Sequence, residues 1–144
     1  MSYSIRLVST PTTPNVKAIE IASTMDKEQF PGCELYNWKE NFIWLAYYKS
    51  QVIGYASMKY LPLDKCGYFS RAAIKREHRR KGLHTRLIRA RINLARRLKW
   101  KGVLTYTATD NIASANSLVS LGFRLYIPEY RWAGKEFLYF MRSL

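Results

Sequence analysis

The order of elements between Gly67 and Ala108 constrains the fold more than any other feature of the chain. Gly67–Ile74 reads as a strand and Lys75–Gly82 as a turn crowded with cations. Leu83 to about Trp100 reads as an amphipathic helix, and Val103–Ala108 as a further strand. Leu83, Leu87, Ala90, Leu94 and Leu98 recur at helical spacing, with Ile88, Ile92 and Ala95 widening the stripe. Arg86, Arg89, Arg96 and Arg97 lie mainly away from it, and Arg91 and Lys99 fall on its flanks. Gly82 precedes the helix and Gly102 follows it. A strand, a crossover helix and a second strand belong to a sheet that is at least partly parallel.

The flanking segments add antiparallel hairpins. Phe42–Tyr48 and Val52–Tyr60 are strand-like runs separated by Lys49-Ser50-Gln51. Ser9–Asn15 signals a turn or helix start, and Val16–Met25 has helical spacing. Asp110 or Asn111 can cap a helix from about Ile112 to Leu121, which Gly122 ends. Phe123–Ile127 and Phe137–Met141 alternate as strands, joined by the Pro128–Lys135 loop. The order β-α-(α)-ββ-β-α-β-α-ββ predicts an α/β (α+β) fold with a mixed sheet and helices on its faces.

With 144 residues and no linker or repeat, residues 1–144 read as a single domain. Hydrophobic residues at 48% and aromatics at 15% exclude intrinsic disorder. The longest apolar run, Phe42–Tyr48, is far short of the roughly 20 residues that span a bilayer. The N-terminus lacks an apolar signal region, and Cys33 and Cys66 make no disulfide framework, so a cytoplasmic location is expected. His78 and His84, six apart and without cysteine partners, form no metal set.

The formal charge is +14, and it is concentrated. Arg71–Lys101 holds thirteen Lys and Arg against one acid, Glu77. Such a segment suits nucleic acid, a phosphorylated cofactor or an acidic protein surface, or is simply a solvated basic face. At its start, Arg79, Arg80, Lys81 and Gly82 precede a helix whose first N–H groups have no intrahelical partner, a ready phosphate site.

These residues carry a resemblance. Arg79-x-x-Gly82-x-His84 is similar to the cofactor turn of the GNAT superfamily of N-acetyltransferases. Asn111, Ser114, Ser117, Gly122 and Phe123 match that family's later helix, and the order of elements agrees from about Phe42 to Leu144. Thr105–Asn111 and Gly122–Pro128 also resemble stretches of compact phage-encoded acetyltransferases. The resemblance implies a six- to seven-stranded mixed sheet with about four helices. It also implies acetyl-CoA in a cleft where strands 67–74 and 103–108 splay. Ile74 would stand beside the pantetheine, and the backbone around Arg79, Arg80, Lys81, Gly82, Leu83, His84 and Thr85 would hold the pyrophosphate. Asn111, Ser114 and Ser117 would flank the arm. An amine acceptor would attack the thioester directly.

Two positions depart from the family pattern. His84 replaces the second glycine of the turn, as a phosphate contact or as a structural histidine, and Leu118 replaces the tyrosine that protonates the thiolate in many members. Either the thiolate leaves unaided or another group serves: strand alternation from Ile74 through Ala72 and Ser70 points to Tyr68, with Tyr106, Asp110 or a water chain as others. The basic helix runs about 20 Å past Arg86, too far for CoA alone, which leaves charge for a polyanion. Tyr36, Trp38, Tyr126, Tyr130 and Trp132, with Arg131, border the acceptor pocket by the same resemblance, to stack on bases or to pack their loops. Three readings follow: an N-acetyltransferase of unspecified amine acceptor, a nucleic-acid-directed one (aminoacyl-tRNA or an amino-modified DNA base), and a non-catalytic module that binds nucleic acid or protein.

Overall fold

The computed structural model describes residues 2–33 and 37–144. Strand β1 (Tyr3–Ser9) and helix α1 (Val16–Gln29) precede three long strands, β2 (Asn41–Tyr48), β3 (Gln51–Leu61) and β4 (Cys66–Ile74). Helix α2 (Leu83–Arg97), strand β5 (Gly102–Ala108), helix α3 (Ile112–Ser120), and strands β6 (Arg124–Tyr126) and β7 (Phe137–Ser143) follow. All seven strands join one sheet in the order β1-β2-β3-β4-β5-β7-β6, parallel only between β4 and β5. The described residues hold three α-helices rather than about four. Where a second N-terminal helix was expected, the chain makes a single 3₁₀ turn at Trp38–Glu40.

Both faces of the sheet are covered. Ala18 and Ala22 of α1 pack with Ile43, Leu45 and Tyr55 on one face. Leu83, Leu87, Ile88, Ile92 and Ala95 of α2, with Leu118 of α3, pack on Trp44, Ile53, Met58, Phe69, Val103 and Phe140 on the other. α1 is also pinned by polar contacts: the buried Asp26 accepts from Tyr55 Oη at 2.5 Å and faces Arg71 Nε at 3.4 Å. Burial, then Asp26, pushes the Tyr55 phenol well above its ordinary pKa, so it remains a donor.

α2 ends sooner than the sequence pattern suggests, and not at Gly102. Lys99 takes the left-handed conformation (φ 60°). The Lys99 N–H reaches Arg96 O at 3.0 Å and the Trp100 N–H reaches Ala95 O at 3.0 Å, which closes the last turn. Gly102 is instead a β5 residue, where a Cβ would stand 2.7 Å from the Arg142 carbonyl oxygen. α3 ends by the same device at the expected place: Gly122 has φ 90°, and the Phe123 N–H reaches Leu118 O at 3.0 Å.

Candidate active site

The parallel seam is short. β4 and β5 pair at Cys66–Gly102, Gly67–Val103 and Tyr68–Leu104, and then separate. The Thr105 hydroxyl donates to Phe69 O at 3.2 Å where they part. Beyond that point Phe69–Ile74 pairs only with β3, and Thr105–Ala108 only with β7. A gap opens outside the carboxyl ends of two parallel strands, the usual ligand position in such sheets.

A cleft fills this gap on the α2–α3 side. Its inner part, about 250 Å³, is lined by Ser70, Ala72, His84, Arg91, Thr107 and Leu118, among others. It continues into an outer part of about 650 Å³, bordered by Ile74, Arg79, Arg80, Gly82, Leu83 and Thr85. His84, Asn111 and Ser114 line both parts, and Ser117 lines the outer one. Ten of the eleven positions predicted to contact a cofactor thus border one continuous cleft; exposed Lys81 is not among its lining residues.

The turn is built to expose backbone. Arg80 and Gly82 are left-handed (φ 61° and 76°), and a Cβ at Gly82 would meet nothing within 4 Å. No side chain caps α2, so its first N–H groups stay free toward the outer cleft. Arg79 is a brace more than a free cation. Its Nε donates to Ile74 O at 2.9 Å and its Nη2 to Gln29 Oε1 at 3.2 Å, which fixes the turn against β4 and α1. Asn111, not Asp110, caps α3, with Oδ1 accepting the Ser114 N–H at 3.2 Å.

His84 faces the cleft. Burial, and then nearby Arg91, lower its pKa to about 4, so the imidazole is neutral at physiological pH. The Thr107 hydroxyl, buried on the cleft wall, has no partner among the described residues. An orphaned hydroxyl, free helix N–H groups and a glycine with open space above it fit a ligand that combines amide and phosphate groups.

The expected strand alternation fails at Ser70. Ser57 pairs with Arg71 and Met58 with Phe69, so Ser70 is an extra residue, a β-bulge. Ile74 and Ala72 therefore share a face with Phe69, while Tyr68 points to the α1 side instead of sharing their face. There Tyr68, Ser70, Leu104, Tyr126, Glu129 and Trp132 line a second pocket of about 980 Å³, with Asp64 at its border. Ser70 lines this pocket and the inner cleft alike. Its hydroxyl donates to Asn41 Oδ1 at 2.6 Å and lies 2.8 Å from Ser57 Oγ.

Trp132 anchors the aromatic wall, meeting Tyr68, Tyr106 and Tyr139 edge-on at 5.2, 5.3 and 5.1 Å. The Tyr139 hydroxyl ties down its loop by accepting from the Ala133 and Gly134 N–H groups. Burial, then neighbouring Tyr106, push the Tyr68 pKa up, so Tyr68 is a proton donor and not a base at neutral pH. Tyr106 stacks 6.5 Å from Tyr68 and lines the inner cleft. Asp110 is exposed and lines neither space. Of the predicted acceptor-side aromatics, Tyr126 and Trp132 line the pocket, Trp38 packs on Tyr55, Tyr130 is exposed, and Tyr36 lies outside the described residues. Sequence reasoning missed Ser70 as the shared wall, because a bulge leaves no mark in residue spacing.

The class of protein follows from comparison. Residues 13–123 match the model of the Acetyltransferase (GNAT) family, and the chain belongs to that family. No curated protein matches it. Among solved structures it is similar to the NatC complex bound to Gag peptide and CoA, with 16% identity over 100% of this chain and 99% of that one and a TM-score of 0.81. It is similar to the PaiA N-acetyltransferase of Thermoplasma acidophilum in complex with coenzyme A, with 14% identity, all of both chains covered and a TM-score of 0.72. A GNAT family acetyltransferase from Elizabethkingia anophelis with acetyl-CoA bound shares 13% identity over 99% of this chain and 98% of that one, with a TM-score of 0.69. At these identities the likeness is one of fold.

Proposed function

We propose that residues 1–144 act as one acetyltransferase domain that moves an acetyl group from acetyl-CoA to an amine by direct attack. The carrying observation is the window at Ser70, where the cleft on one face of the sheet meets the aromatic pocket on the other. Acetyl-CoA supplies an activated acyl thioester. The N–H groups of Leu83, His84 and Thr85 bind its phosphates, with Arg80 and Lys81 adding charge. Ile74, Asn111, Ser114 and Ser117 border its arm, and the unpartnered Thr107 hydroxyl bonds an amide there. Trp132 and Tyr126 hold the acceptor, and Asp64 and Glu129 favour a cationic ammonium over an anion at the pocket. Tyr68 and Tyr106 serve as proton donors near the window, and bulk water at the open pocket takes the ammonium proton.

A narrower reading has its own support: the acceptor amine is borne by nucleic acid. The exposed cations Arg96, Arg97, Lys99 and Lys101 stand at the end of α2 away from the proposed phosphate site. That end is fastened to the β3–β4 hairpin, since the Lys101 N–H reaches Lys65 O at 2.8 Å and Trp100 meets Tyr60 at 4.6 Å. Leu61, Asp64 and Cys66 of the same hairpin region line the acceptor pocket. A polyanion on these cations would deliver a base or 3′ end to Trp132. CoA release should be followed with acetyl-CoA and either an amine-bearing oligonucleotide or a lysine peptide. Turnover with the oligonucleotide that falls steeply with salt supports the narrower reading. Equal turnover with the peptide removes it and keeps the broader one, and binding of nucleic acid without acetyl-CoA binding favours a non-catalytic module.

A further inference from the structure

Arg91 is the charge that the reaction above does not use. It is 2% exposed, in the middle of α2, and no carboxylate among the described residues pairs with it. Its Nε donates to Leu87 O at 3.2 Å and its Nη1 to Ser57 O at 3.4 Å, while its guanidinium lies 4.0 Å over the Phe69 ring. Burial lowers its pKa to about 9, which still leaves it a cation at neutral pH. Two neutral carbonyls and a ring offset only part of the several kcal/mol that desolvating an ion costs.

The position of Arg91 selects what could complete it. It lines the inner cleft, nine residues and about 13 Å along α2 from Gly82, too deep for the cofactor phosphates. It does not line the acceptor pocket. The reacting carbon must stand at the window, within reach of both spaces. Arg91 bonds across to β3 through Ser57, behind that window as seen from the acceptor side. Among the described residues no acid lines the cleft, and His84 beside it is neutral. What reaches this spot is the far end of the acyl group.

We propose that the inner cleft contains a carboxylate subsite at Arg91, so that the enzyme accepts acyl-CoA donors whose acyl chain ends in a carboxylate, such as succinyl-CoA. The inference rests on the cofactor cleft assigned above. Transfer balances as acetyl transfer does: the amine nitrogen bonds the thioester carbon, the C–S bond breaks with its electron pair going to sulfur, and the nitrogen gives up one proton, which the thiolate takes up. A guanidinium–carboxylate contact is charge-assisted and directional, so it separates donors by charge rather than by length.

Calorimetry on the full chain with acetyl-CoA, butyryl-CoA and succinyl-CoA tests this. Butyryl-CoA controls for chain length without charge. The expected result is succinyl-CoA at least tenfold tighter than butyryl-CoA, with the ratio collapsing to about one in Arg91→Met and partly kept in Arg91→Lys. If Arg91→Met does not fold, the wild-type ratio and Arg91→Lys still decide. Equal affinity for succinyl- and butyryl-CoA in the wild type, or a preference that survives Arg91→Met, overturns the subsite while acetyl-CoA binding keeps the broader function. Binding of none of the three overturns both.

Discussion

The two spaces that meet at Ser70 have opposite characters. The cleft between β4 and β5 has four arginines on its walls, Arg71, Arg79, Arg80 and Arg91, and no acid among the described residues. The pocket on the other face has Asp64 and Glu129, aromatic walls, and one cation, Lys59, which is paired with Glu40 at 3.1 Å. In a chain of charge +14, the pocket proposed to receive an ammonium thus carries two acids against one paired lysine among its described residues. Net charge describes the outside of this protein and the cleft between β4 and β5, and misdescribes the pocket on the other face. The bulged β4 strand stands between the two spaces, so each keeps its own charge character.

The comparison breaks most visibly at the turn. Arg79→Ala with Gly82→Glu places a carboxylate among the free N–H groups and loosens the brace on Ile74. Acetyl-CoA affinity by calorimetry should fall at least 100-fold; a fall of less than threefold would detach the phosphates from residues 79–85. The acceptor side should respond separately. Trp132→Ala removes the centre of the aromatic wall and should raise acceptor KM about tenfold in steady-state assays, with donor Kd moving less than threefold. Equal losses on both sides would mean the two spaces are not independent.

Much of this was legible in residue order, for physical reasons that differ by element. The helix starts and stops at Gly82, Asn111 and Gly122 were readable because conformational freedom and capping are local properties of single residues. The border of the outer cleft was readable because a turn and a helix N-terminus occupy consecutive residues. Ser70 was not, since its extra place in β4 depends on pairing with Ser57 and Met58 on another strand. Nor was the stop at Lys99, a left-handed lysine followed by Trp100, which packs on Tyr60 and Phe42 far away in the chain. The Asp26–Tyr55–Arg71 cluster joins residues far apart in the chain and carries no local signature.

Smaller effects sharpen the contrast. His84 has a folded pKa of about 4 against 6.5 for a free imidazole, so the unfolded chain binds the extra proton between those values. Stability from its neutral burial is complete above about pH 6.5 and is lost as pH falls toward 4. The melting-temperature gap between wild type and His84→Asn should be flat above about pH 7 and shrink on acidification; a gap that widens toward about pH 4 would contradict a buried neutral imidazole. On the outer surface, Arg96→Glu with Arg97→Glu should weaken oligonucleotide binding and flatten its log–log salt slope by about one to two, roughly one for each phosphate no longer neutralised. An unchanged slope would leave the end of α2 as a solvated face.

The most direct test of the two-sided site is amide hydrogen exchange with and without acetyl-CoA. Protection confined to residues 72–85 and 105–118, with the Tyr126–Trp132 loop unchanged until an amine acceptor is added, is the predicted result. Donor-induced protection centred on that loop or on the Lys99–Lys101 end of α2, with residues 79–85 unaffected, would contradict it.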